Sequence, residues 1–307
     1  MPYLLLSAYL LIRVASSVTV KKNSRDFSSL GLIGTLIYVF ETGVFSLFFF
    51  YALNGFTLNI NLTLTLFAAI YGAVVVLNLV PTMFMYNYGT ITLVNFVSNT
   101  VLIISSTVVG VTLFSESFSY STLLRITLML LCVLTVYLGA QKNLPENESV
   151  KKRRSVHPLA IILPSVTALM ALTTTVIIKL HNNHPDYTDT TSLYFMTNVF
   201  CIIYTVPIIA MIARKSGIGA RGVGEMIINK RTVGSLINTA IGAVLSITTA
   251  ALLSSMDVAV YTPVTSALGF IALAIATPIV REKLDRYTVL ATVLSILSII
   301  LPHLIFS

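Results

Sequence analysis

The sequence predicts an all-α integral membrane protein of ten transmembrane helices, arranged as two inverted five-helix repeats. Three observations predict it. Over 307 residues, 56% are hydrophobic and only 10% charged, with a mean hydropathy of +0.91, too few polar residues to cover a soluble globule. Ten apolar runs are long enough to cross a bilayer, which takes roughly 17–25 residues each. One hairpin pattern is also written twice, around Glu116 and around Glu282.

In chain order the runs cover residues 3–20, 30–54, 62–86, 90–114 and 119–140, then 158–180, 190–213, 232–254, 257–280 and 287–305. None alternates with period two over the length of a barrel strand, so helices are the remaining way to satisfy the backbone in lipid. The opening M-P-Y-L-L-L has no basic stretch before it and no small-residue cleavage site after it, so the first helix is expected to stay in place. Cys132 and Cys201 both fall inside apolar runs, where packing is the expected role and a disulfide framework has no support.

The runs divide five and five around Q-K-N-L-P-E-N-E-S-V-K-K-R-R-S-V-H, residues 141–157. This gives a first repeat at 1–140, a basic cytoplasmic linker at 141–157 and a second repeat at 158–307. Pro2 matches Pro158, Gly72 matches Gly242, and Glu116 matches Glu282, at offsets of 156, 170 and 166. Five helices per copy make the copies face opposite ways.

Charge sets the orientation. Sixteen of the nineteen Lys and Arg residues lie in alternate loops: around Lys21, between Lys142 and Arg154, between Arg214 and Arg231, and between Arg281 and Arg286. The positive-inside rule makes those loops cytoplasmic and puts both termini outside. The net charge of +8 is thus read as topology, with the lipid bilayer as partner and no nucleic acid. The expected location is the plasma (inner) membrane, multi-pass.

These residues carry a resemblance. In each half an apolar helix ends at a glutamate, followed by a short turn and a last helix. Ten helices built this way resemble the drug/metabolite transporter (DMT) superfamily, specifically its EamA-type members. The sequence E-K-L-D at Glu282 follows the family pattern, whereas E-S-F-S at Glu116 lacks the basic residue, and the glycine that usually follows is replaced by Arg125 and Ala291. The resemblance implies a central cavity surrounded by the first four helices of each half, with the fifth and tenth spans as braces. It also implies secondary transport of a small metabolite, such as an amino acid or amine, by alternating access, with export as the expected direction and no enzymatic activity, ATP site or cofactor.

Polar residues inside the spans are the candidate substrate-binding groups, because such side chains are costly in a bilayer unless they face a cavity or a partner. Glu41 in I-Y-V-F-E-T-G-V-F is the deepest carboxylate and the leading candidate for proton coupling or for pairing with a cationic substrate. The other reading is a fixed ion pair with Arg13. Asn95 and Asn99 share a helix face and match Tyr261 and Thr265 at an offset of 166. Tyr38 matches Tyr194, Thr197 takes the place of Glu41 beside Asn198, and Asn78 matches Thr248. Interhelical hydrogen bonding without a ligand is the alternative for each.

Glu116 and Glu282 stand at helix ends and are expected to accept hydrogen bonds from the first N–H groups of the next helix. Arg125 is expected to snorkel or to hold Glu116, and Lys179 to reach a substrate or an interface. Pro81, Pro164, Pro207, Pro263 and Pro278 predict kinks, with Pro263 the best gate. With no tryptophan, a quaternary ammonium cage would need Tyr38, Tyr71, Tyr194 or Tyr261. No metal-ligand spacing stands out. A lipid- or isoprenoid-processing enzyme would have to use His181, His184, Asp186 and Asp189, the single acidic and histidine cluster; a non-transporting scaffold, or a homodimer of the transporter, also stays open.

Overall fold

The computed structural model describes residues 2–28, 31–88, 91–142, 158–186, 189–217, 219–227, 232–279 and 286–306. Among them are eleven helices: α1 (Pro2–Ser28), α2 (Gly31–Leu53), α3 (Leu62–Tyr88), α4 (Ile91–Leu113), α5 (Tyr120–Lys142), α6 (Leu159–Asn182), α7 (Thr190–Lys215), α8 (Ala220–Ile227), α9 (Thr232–Ser255), α10 (Val258–Ile279) and α11 (Arg286–Phe306). No strand occurs among the described residues. Among the described residues each of the ten apolar runs falls on one of these helices, with bounds that agree to within a few residues except at the end of α1, which continues to Ser28. The eleventh, α8, was not expected: it forms inside the glycine-rich loop after α7, where eight residues suffice for two turns.

Among the described residues seven helices are long and apolar enough to cross a membrane: α2, α5, α6, α7, α9, α10 and α11. In α1, α3 and α4 the apolar helical stretches are shorter, Leu4–Ser16, Leu62–Asn78 and Val97–Leu113. The surface agrees with a multi-pass membrane protein. Leu4, Leu62 and Leu304 are more than 70% exposed, while Ser106, Ser192, Ser235 and Ser295 are fully buried. A soluble protein would invert that distribution.

Hydroxyl groups in the spans mostly satisfy themselves. Thr107, Thr127, Thr135 and Thr173 each donate to the carbonyl four residues earlier, at 2.8–2.9 Å, which lets a threonine sit in an apolar helix with its proton bonded. The prolines Pro81, Pro164, Pro207, Pro263 and Pro278 all lie inside helices that continue past them.

The chain forms two compact units, and each draws on both halves of the sequence. The first comprises Met1–Leu77 with Val176–Ser254, the second Asn78–Thr175 with Ser255–Ser307. In the first, α2 packs along α7, and α1 and α8 pack on α2. Leu64, Ala68 and Leu193 form a core between α3 and α7, closed by Phe67, Met196 and Phe200. The approach is close because Gly72 has no side chain: a Cβ there would stand 2.9 Å from Phe200 Cβ and 3.1 Å from the Thr197 carbonyl.

In the second unit α5 packs along α11, and α10 packs against α4, α5 and α11. Ile103, Met129 and Ala267 make its core. Cys132 approaches Ser295 Oγ at 3.1 Å and the Ala291 carbonyl at 3.2 Å, so this thiol serves the α5–α11 contact. Glu116, in the loop between α4 and α5, accepts from the Val258 N–H at 2.7 Å through Oε1 and from the Ala259 N–H at 2.9 Å through Oε2. The helix it caps is α10 and not α5, its neighbour in sequence. Gly110 makes room, since a Cβ there would fall on the Glu116 carboxylate. Glu282 and residues 143–157 of the linker lie outside the described residues.

Candidate functional site

A cavity of about 270 Å³ opens within the first unit. It lies just below the roughly 300–1,000 Å³ usual for small-molecule sites. Helix α2 lines it with Tyr38, Thr42, Ser46 and Phe50, one face at a spacing of four. Helix α7 brings Tyr194, Thr197, Asn198 and Cys201, and α3 brings Tyr71 and Val75. From α9 come Asn238, Thr239, Gly242, Ala243 and Ser246. Gly242, the sequence match of Gly72, does the opposite job: a Cβ there would meet nothing within 4 Å, and the missing side chain is cavity.

The walls are held by hydrogen bonds between helices. The Tyr194 hydroxyl donates to the Ser246 carbonyl at 3.0 Å, joining α7 to α9. Asn238 Nδ2 donates to the Tyr38 hydroxyl, and Asn238 Oδ1 accepts from Thr19 at 3.1 Å, which ties α9 to α2 and α1. Asn198 Nδ2 donates to the Tyr194 carbonyl at 2.7 Å. Thr197 is 5% exposed and its Oγ1 has no hydrogen-bond partner among the described residues, though it lines the cavity.

Glu41 stands beside the cavity and not in its lining. It is 3% exposed, and neither carboxylate oxygen takes a hydrogen bond from Arg13 or any other described residue. The buried Ser235 hydroxyl is its polar neighbour. A carboxylate so placed is expensive, because its oxygens have lost water without gaining donors. Tyr38, three positions earlier on α2, lines the cavity.

Of the sequence-predicted site residues, Tyr38, Tyr194 and Asn198 come together in this cavity, with Glu41 alongside. Asn78, Asn99, Tyr261 and Thr265 belong to the second unit. There Asn78 Oδ1 is buried without a hydrogen-bond partner among the described residues, and Thr265 Oγ1 donates to the Tyr261 carbonyl at 2.8 Å. Asn95 falls within α4 at a position whose side chain lies outside the described residues. Thr42, Ser46, Asn238, Thr239 and Ser246 escaped the sequence reading. Their signal was there in both α2 and α9, as small or polar residues recurring every fourth position along an apolar helix.

At one end of the first unit, loops close over the helices. Asp189 caps α7 by accepting from the Ser192 N–H at 2.6 Å and from its hydroxyl at 2.7 Å. Ser192 Oγ in turn accepts from Asn54 Nδ2 at 3.3 Å and from the Asn59 N–H at 3.2 Å. Burial pushes the Asp189 carboxyl up, but the hydrogen bonds from the Ser192 side chain and backbone and from Asn54 outweigh it and hold the group below its usual range. The Asp186 N–H donates to His184 Nδ1 at 3.1 Å, and Lys179 Nζ donates to the Leu253 carbonyl at 2.9 Å. Among the described residues no three His, Cys, Asp or Glu side chains are grouped to hold a metal ion.

The chain matches no protein-family profile and no curated protein sequence. It is similar in fold to a protein of known crystal structure, over 99% of this chain and 97% of that one, with a TM-score of 0.65 and 11% sequence identity.

Proposed function

We propose that this chain is a secondary transporter similar to the EamA-type members of the drug/metabolite transporter superfamily, exporting a small metabolite such as an amino acid or amine by alternating access. The observation that carries the reading is a cavity with neutral polar and aromatic walls inside helices whose outer faces are apolar, flanked by a buried carboxylate with no formed hydrogen bond among the described residues. A binding chamber plus one unsatisfied acid is what coupled transport needs: a place for substrate and a group whose charge changes during the cycle.

The helix packing fits ten spans in two inverted repeats. The pairs α2 with α7, α4 with α10 and α5 with α11 each join the second, fourth or fifth span of one half to its counterpart in the other. With the basic loops cytoplasmic, both termini face outside, and the membrane is the plasma (inner) membrane. In this reading Glu41 carries the coupling proton and Tyr38, Tyr194 and Asn198 touch the substrate. Asn78, Asn95, Asn99, Tyr261 and Thr265 are the further candidate substrate groups of this reading. The enzyme reading loses support because Asp189 and His184 are engaged in capping and loop bonds.

The test is flux in proteoliposomes. Protein reconstituted with a pH gradient should exchange at least one member of a panel of amines and amino acids, and Glu41→Gln should abolish the dependence on the gradient while the purified variant melts no lower than the parent. Loss of neither flux nor pH dependence in Glu41→Gln sinks the coupling role. Absence of exchange across the whole panel sinks transport itself.

A further inference from the structure

Three helices bring a tyrosine to the first-unit cavity, Tyr38 from α2, Tyr71 from α3 and Tyr194 from α7, whereas the α9 wall has only short side chains. On α9, Gly242 stands one turn after Asn238 and one turn before Ser246, so the three share the face that lines the cavity. Val233, Ile237 and Val244 fall on the opposite face and are exposed. A side chain at position 242 would therefore point into the cavity, and a Cβ there meets no neighbouring atom within 4 Å.

Glycine is a poor residue for a helix interior, so its place in one asks for a reason. At Gly72, its match in the first half, the reason is contact, since a Cβ would stand 2.9 Å from Phe200 Cβ. At Gly242 no contact supplies one. What the missing side chain gives there is volume, and volume is scarce in a cavity of about 270 Å³. A pocket of fixed walls discriminates by clash, and one carbon more or less is enough to be felt.

We infer that Gly242 is a specificity-determining residue that sets the upper size of what this cavity admits. The inference rests on the choice of this cavity as the substrate site and adds the residue that limits the substrate's bulk.

Thiol labelling of the full chain in detergent tests it without a known substrate. Gly242→Cys should react with methyl methanethiosulfonate about tenfold faster than Cys132 and Cys201 do in the parent, because its thiol stands in open space and theirs are packed. Ser46→Cys, on the α2 wall, reports the size limit. Adding Gly242→Leu to it should slow the benzyl analogue of the reagent about tenfold and the methyl reagent by no more than about twofold, each rate taken relative to denatured protein. Gly242→Val should do the same to a smaller degree, and both variants should melt cooperatively near the parent temperature.

Gly242→Cys no faster than the parent, Ser46→Cys closed to both reagents, equal slowing of the two reagents or slowing of neither would each overturn the inference. So would loss of the cooperative melt in both Gly242→Val and Gly242→Leu, which would reveal a contact in place of the void. Proteoliposomes separate this failure from that of the transport reading. If the parent moves no amine or amino acid, transport falls and the labelling rates still decide the size limit. If it moves several and Gly242→Val slows large and small members alike, transport stands and the size limit falls.

Discussion

Two carboxylates among apolar helices, one in each compact unit, live under opposite conditions. Glu116 of the second unit has both oxygens bonded to backbone N–H groups at the start of α10. Glu41 of the first unit is more deeply buried and has neither oxygen bonded among the described residues. The glycines repeat the contrast: Gly110 lets the Glu116 carboxylate reach its donors and Gly72 lets α3 touch α7, whereas Gly242 leaves empty space. Bonded and filled, a polar or small residue fastens helices together; unbonded or unfilled, it costs stability that only a ligand or a proton can return.

The largest expected effect breaks the fastened side. Glu116→Ala removes two charge-assisted bonds and should lower unfolding stability by about 3 kcal/mol, read as a fall in the detergent melting temperature. Gly110→Ala should reproduce much of that loss by displacing the carboxylate. A small loss in Glu116→Ala would mean that the cap is incidental and the contrast with Glu41 is empty. Next comes Gly72→Ala, where the added methyl meets Phe200 and the α7 backbone. It should cost about 1–3 kcal/mol as an overpacked contact, whereas Gly242→Ala should be neutral or gain about 0.5–1 kcal/mol from helix propensity. Similar behaviour of the two glycines would refute the distinction between contact and cavity.

A smaller effect appears only in acid. Asp189 has a folded pKa below its unfolded one, so its contribution is complete above the unfolded value, near 3.9, and is lost as the pH falls through the lower folded value. Melting temperature followed from pH 6 to pH 3 should therefore drop less steeply in Asp189→Asn than in the parent. Parallel curves would remove the cap at α7 from the account. The smallest stability effect belongs to Glu41→Gln, at or above the parent melting temperature, since an unsatisfied acid gives way to a neutral amide.

Much of the fold was legible because bilayer-spanning helices announce themselves by length and hydropathy, with no need of side-chain detail. Each of the ten apolar runs falls on a helix among the described residues. The short α8 was hidden by its glycines, which argue for loop in isolation and are overruled once the segment packs on α2. Within the site, Tyr38, Tyr194 and Asn198 were found by matching the halves. The α9 wall was missed because serine, threonine and glycine in an apolar helix usually bond to their own backbone or aid packing, and sequence does not say which few face a void. Thr248 and Thr197 illustrate it: the first donates to the Val244 carbonyl at 2.8 Å, and the second has no partner among the described residues. Glu116 was recognised as a helix-end residue, but its true partner is 142 positions away, a separation that no local pattern encodes.

The interleaved units set an order in time. The last residue of the first unit is Ser254, and everything from Ser255 onward belongs to the second. A ribosome therefore delivers every residue of the cavity before it begins the segment that Glu116 is waiting to cap. Since compact units tend to fold as they are completed, the chamber assembles early in the life of the chain. Until α10 emerges, the Glu116 carboxylate lacks the two N–H groups it caps in the finished fold.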